Sequence, residues 1–203
     1  IMAALTTRTT APDVAYMLGK IGAVALFHSA DMTGIATAAR DSLPALRHLV
    51  AFEDPGTGAP GGFDAFLAHG TEAPAEMPAL ADPLAITFTG GTTGKPKAVV
   101  VTHRARYTTA VTGGVEFGLD ERDVALVATP LFHAAGLFVW FQTAMLLGLT
   151  CVILPRWDPG KAIAEMSRVL RTDRGGGVAM VVDMVNHDRE FYRHTMGHRH
   201  LGF

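Results

Sequence analysis

Nine consecutive residues, Thr89-Gly90-Gly91-Thr92-Thr93-Gly94-Lys95-Pro96-Lys97, concentrate the groups that bind phosphate. Glycine admits positive φ and lets main-chain N–H groups approach a ligand with no Cβ in the way. The threonine hydroxyls add donors and the two lysines add positive charge, so a polyphosphate would meet converging donors and cations. The spacing is not that of a Walker A loop, which needs four residues between its first glycine and the Gly-Lys pair, then Ser or Thr. Gly90 and Gly94 enclose three residues, and Lys95 is followed by Pro96. Pro96 also keeps the loop from running directly into a helix, so a helix N-terminus is not the expected cradle. The competing reading is a Gly/Thr-rich surface turn. Clustered donors, paired lysines and a preceding apolar strand favour phosphate binding.

The elements around this loop follow from hydrophobic spacing. Leu84 to Phe88 reads as a buried strand entering it, Ala98 to Val101 as a second short strand leaving it, and a helix follows from Thr102 into the Val111 region. Upstream, Val14, Met17, Leu18 and Ile21 recur at helical spacing between Ala11 and Gly22. Ala23 to Phe27 and His48 to Phe52 read as strands, with a helix through Ser42 capped by Ser29 or Asp31 between them. Glu53 to Gly62 is a Gly- and Pro-rich loop, and Phe63 to Ala68 a short helix before a Pro- and Ala-rich connector. Downstream, Val124 to Ala128 and Thr150 to Leu154 read as strands, with a helix from Leu137 to Leu147 between them. Asp158-Pro159 caps a last helix to Leu170. Strands alternating with helices, apolar on both faces, predict a layered α/β fold with a largely parallel sheet.

Composition narrows the class. The chain has 203 residues, 49% hydrophobic and 18% charged, with net charge −2. That excludes disordered and collagen-like chains and gives no electrostatic footprint for nucleic acid. Cys151 is the only cysteine, so no internal disulfide or four-thiolate metal site can form, and a reducing, cytoplasmic setting fits. Between Asp123 and Arg156 there is no Asp, Glu, Lys or Arg, which raises a membrane-associated reading. Pro130, Gly136 and Gly148 cut that run into strand and helix lengths, so no stable membrane span is expected.

Thr89 to Lys97, continued by Val99-Val100-Val101-Thr102-His103-Arg104, resembles the phosphate-loop signature of the adenylate-forming superfamily of acyl- and aryl-CoA synthetases, luciferases and peptide-synthetase adenylation domains. Pro130-Leu131-Phe132-His133-Ala134-Ala135-Gly136 is similar to that family's next motif, and Thr7 to Phe27 resembles the segment upstream of the loop. The resemblance implies part of a large N-terminal α/β domain over residues 1–168, with 169–203 as a divergent tail. It implies that a carboxylate attacks the α-phosphate of ATP, giving an acyl-adenylate and pyrophosphate, and that CoA then displaces AMP.

Residue by residue, the resemblance assigns Thr89, Gly90, Gly91, Thr92, Thr93, Gly94 and Lys97 to the ATP phosphates. His133 and Gly136 fall beside the acyl pocket, with Phe132, Leu137, Phe138 and Trp140 as its apolar wall. Lys95 falls at a variable, solvated position, and Ala98 stands where the family usually has glycine. No catalytic residue is assigned. The adenine, ribose and Mg²⁺ sites and the catalytic lysine of the C-terminal domain would follow residue 168, where nothing matches them. Adenylation by this chain alone is therefore not expected. A non-catalytic nucleotide-binding module and a membrane-associated segment stay open as alternatives. In the tail, His194 and His198 have i,i+4 spacing, but Gly197 interrupts them, so a solvated polar tail is preferred to a metal site.

Overall fold

The computed structural model describes residues 1–53, 62–68, 70, 76–89 and 95–170. They belong to two compact units, one of Ile1–Thr89 with Ala98–His103, the other of Gly90–Lys97 with Arg104–Phe203.

The first unit contains β1 (Met2–Ala3), α1 (Ala11–Ile21), β2 (Ala25–His28), α2 (Thr33–Asp41), β3 (His48–Ala51), α3 (Phe63–Ala68), β4 (Pro83–Thr89) and β5 (Lys97–Thr102), which starts at the last residue of the second unit's loop segment. Thr10 starts α1 through a reciprocal capping box with Asp13, Pro12 occupies the first turn, and Gly22 closes the helix at φ 63°. The apolar stripe read from the sequence turns inward: Val14 and Leu18 form a buried cluster with Ala39 of α2 and Leu46. Ala39 is wholly buried, and its small side chain lets the two helices approach.

The expected cap of α2 is not made. The Ser29 hydroxyl donates to the Asp31 carboxylate, so these two side chains satisfy each other within a 3₁₀ turn (Ala30–Met32). Glu53 Oε2 instead accepts the Ala30 N–H at 2.7 Å, and α2 begins at Thr33 with no side-chain cap. Phe27 gathers Phe52, Phe63 and Phe66 around it, with ring centroids 6.1, 6.2 and 5.2 Å away.

The second unit runs α4 (His103–Phe117), whose first residue belongs to the first unit, then β6 (Val124–Val127), a π-helix (Ala135–Phe141), α5 (Gln142–Leu147), β7 (Thr150–Ile153) and α6 (Pro159–Leu170). α4 continues six residues beyond Val111, through Gly113 and Gly114, to a stop at Gly118 (φ 62°). Gly114 belongs in the helix because Leu147 fills the space a Cβ would take. β6 and β7 pair in parallel from Val124↔Thr150 to Val127↔Ile153, over a core of Ala125, Ala144 and Leu149. At α6, Asp158 Oδ1 accepts the Lys161 N–H at 3.0 Å, the cap read from the sequence.

The fold is α/β, as expected, and β1–β4, β2–β3 and β6–β7 all pair in parallel. Among the described residues these pairs occupy three small sheets rather than one. The charge-free run is strand, helix and strand, and no helix among the described residues is long and apolar enough to cross a membrane.

One turn of the second unit carries a pH dependence. The Arg122 guanidinium and backbone N–H both donate to the Asp120 carboxylate, holding it down from 3.8 to about 2. A depressed carboxylate stabilises the fold above its unfolded pKa and loses that contribution as pH falls through the folded value. Acid unfolding of the wild type and Asp120→Asn should therefore diverge above about pH 4 and converge near pH 2, the gap shrinking in high salt. Parallel curves throughout would contradict the pairing.

Candidate functional site

β4 enters the glycine-rich segment and β5 leaves it, and the two are neighbours in one sheet ordered β1-β4-β5. Ala85 and Ile86 of β4 sit in register with Met2 and Ala3, and Ala85 is buried, so the strand feeding the loop is anchored on its other edge. Beyond the loop, the His103 N–H donates to Asp82 O at 3.1 Å, fixing the end of β5 to the residue before β4. Thr89 closes β4 and Lys97 opens β5, both exposed. Gly90, Gly91, Thr92, Thr93 and Gly94 lie outside the described residues. Lys95 is exposed.

The second motif folds into a tight corner between β6 and the π-helix. The His133 N–H donates to Pro130 O at 3.0 Å, and the Leu137 N–H donates to His133 O at 3.0 Å, opening the helix. His133 Nδ1 accepts the Ala135 N–H at 3.2 Å, so this exposed side chain caps the helix it precedes. With Nδ1 an acceptor, the neutral ring carries its proton on Nε2. Gly136 is pressed onto the corner: a Cβ there would lie 2.6 Å from Pro130 O and closer still to Thr129 O. His133 and Gly136 therefore share one turn, and glycine is required by contact with backbone.

The proposed apolar wall divides. Trp140 lines a cavity of about 400 Å³ between α4, the π-helix and α5, together with Thr108, Thr112, Glu116, Phe117 and Thr143. Phe138 points elsewhere: it is buried, and the Arg106 guanidinium lies 4.6 Å above its ring. Arg106 went unmarked in the sequence, where a lone arginine on a helix reads as solvated. It donates from Nε to Gln142 Oε1 at 3.0 Å and from Nη2 to Phe138 O at 2.9 Å. Burial lowers its pKa from the ordinary value. Gln142 and Phe138 lie more than 30 residues away, so no local spacing signals the contact.

The donor set of the loop fits a polyphosphate, with hydroxyls, glycine N–H groups and ammonium charge in one short segment. Among the described residues no group of three or more His, Cys, Asp or Glu is placed to hold a metal ion. The histidine-rich stretch near His194 and His198 lies outside the described residues.

The family described as AMP-binding enzymes matches residues 1–201, a span that takes in the stretch beyond 168. A 2-succinylbenzoate–CoA ligase of Bacillus licheniformis is 42% identical over 87 residues, covering 43% of this chain and 18% of that protein. The long-chain-fatty-acid–CoA ligase FadD13 of Mycobacterium tuberculosis is 29% identical over 192 residues, covering 92% of this chain and 36% of that protein. The crystal structure of the anthranilate CoA ligase AuaEII with anthranoyl-AMP superposes with a TM-score of 0.70 at 25% identity, over 85% of this chain and 33% of that one. The chain spans between about a fifth and about two fifths of the length of the relatives it matches.

The backbone contact at Gly136 makes a sharp comparison with Gly113, around which a Cβ meets open space. Gly136→Ala should destabilise by about 1–3 kcal/mol, because two backbone carbonyls cannot move aside cheaply. Gly113→Ala, within α4, should be neutral or stabilising by up to about 1 kcal/mol. Equal effects of the two in urea unfolding would contradict the corner.

Proposed function

The chain belongs to the AMP-binding enzyme family, and from that premise we propose that it forms part of an ATP-dependent carboxylic acid:CoA ligase. In the proposed reaction a carboxylate oxygen attacks the α-phosphorus of ATP. The new P–O bond forms as the bond to the β-phosphate bridging oxygen breaks, and pyrophosphate leaves. The CoA thiol then displaces AMP from the acyl carbon, giving a thioester.

The observation that carries this reading is the donor set from Thr89 to Lys97, held between two neighbouring strands. Its role is electrostatic. Charge accumulates on the β- and γ-phosphate oxygens as pyrophosphate departs, and N–H, hydroxyl and ammonium donors would stabilise it. Thr89, Gly90, Gly91, Thr92, Thr93 and Gly94 supply neutral donors, and Lys97 supplies charge. Mg²⁺, bound to the phosphates, would neutralise further charge, with its protein ligands drawn from outside the described residues.

The acid is assigned to the corner formed by His133 and Gly136. The 400 Å³ cavity that Trp140 lines is bounded by α4, the π-helix and α5 and has no residue of 130–136 in its wall, so the acid is assigned to the corner alone. Relatives named for succinylbenzoate, long-chain fatty acids and anthranilate leave fatty and aryl acids both in view. The setting inferred from the single cysteine is the cytoplasm.

ATP–pyrophosphate exchange by the complete gene product, across a panel of fatty and aryl acids, tests the reading. Acid-dependent exchange is expected, with Lys97→Ala lowering it about 100-fold, as loss of one transition-state donor does. ATP binding without exchange for any acid would favour a non-catalytic module. Exchange unaffected by Lys97→Ala would overturn the loop assignment.

A further inference from the structure

The helix that follows His133 is wound as a π-helix from Ala135 to Phe141. π-turns are rare and cluster at functional sites, because each inserts a residue and rotates what precedes it. Here the Gln142 N–H reaches back five residues to Leu137 O. It is thereby lost to the carbonyl of Phe138, its partner in an ordinary α-helix. That carbonyl is instead taken by Arg106 Nη2 at 2.9 Å, with the Thr143 hydroxyl 3.4 Å away. Arg106 Nε holds Gln142 Oε1, on the residue whose N–H moved. The Phe138 ring below the guanidinium completes a three-point clamp on this one turn.

The winding matters at the corner upstream. Reverting to α-geometry shifts the register by one residue and turns the preceding segment by about 100°. A residue with a Cβ, Ala135 or Leu137, would then face Thr129 O and Pro130 O, where only Gly136 fits. The His133 cap on the Ala135 N–H belongs to the same register.

We propose that Arg106 is a positioning residue for the acid: by holding Phe138 O and Gln142 it keeps the π-register that seats Gly136 on Pro130 and fixes the His133 ring. This rests on the ligase reading above and adds to it a residue that touches neither ATP nor the acid. Arginine suits the task because its fork donates in two directions at once while its face lies on a ring. Lysine can replace the charge but not the paired bonds.

The test uses the complete gene product with Arg106→Ala, Arg106→Lys and Gln142→Met. Gln142→Met removes one acceptor at nearly constant volume and serves if Arg106→Ala does not fold. Two readouts are taken: amide hydrogen exchange across residues 135–141, and the KM values for acid and for ATP in pyrophosphate exchange. Arg106→Ala should speed exchange in 135–141 and raise the acid KM about tenfold as the corner loses its register, with the ATP KM within about twofold. Arg106→Lys and Gln142→Met should fall between it and the wild type. Unchanged amide exchange, or acid and ATP KM values that move together, overturns the assignment while leaving the ligase reading intact. A wild type without pyrophosphate exchange for any acid overturns the ligase reading and this inference with it.

Discussion

A loop that binds phosphate needs its two ends held by the fold. The two ends of the segment proposed to bind phosphate, Thr89 and Lys97, belong to neighbouring strands of one sheet. β1 covers the far edge of β4, and the His103 N–H on Asp82 O ties the exit of β5 back to the entry of β4. Pro96 sets the backbone just before β5 and removes an N–H that no helix follows to use. The glycines in between carry no side chain that would bar phosphate from the main chain. The function proposed for the chain depends on this arrangement, since donors on a loose segment would have to be ordered at each binding event.

A second constraint operates at the corner after β6. Two backbone carbonyls occupy the place of a Cβ at residue 136, so glycine is dictated by sterics before any ligand is considered. His133 then has a structural task, capping the Ala135 N–H through Nδ1. The π-winding and the Arg106 clamp belong to the same corner. Compact packing makes such a segment choose between discrete registers rather than deform gradually.

Much of this was legible from residue order alone. The α1 stripe of Val14 and Leu18, the Asp158 cap and the β6–α5–β7 unit follow from spacing and turn chemistry, because each is local. The loop and the Pro130–Gly136 motif were visible for the same reason. What was missed is non-local or too short for a period. β1 has two residues, and its strand identity comes from β4, more than 80 residues away. Ser29 and Asp31 both read as caps but pair with each other, while Glu53 arrives from the far end of β3. The π-helix and Arg106 could not be read because the deciding contacts span over 30 residues. His133 could have been recognised as a cap from its place just before an apolar helix.

The role proposed for Thr89 to Lys97 is to bind polyphosphate through its main chain. Its most direct test is to follow the backbone amides of this segment by NMR as pyrophosphate is added to the chain. Saturable shifts centred on Gly90, Gly91, Thr92, Thr93 and Gly94, lost in Lys97→Ala, are the predicted result. Amides in this segment that stay unmoved while pyrophosphate binds elsewhere, or does not bind at all, would contradict it.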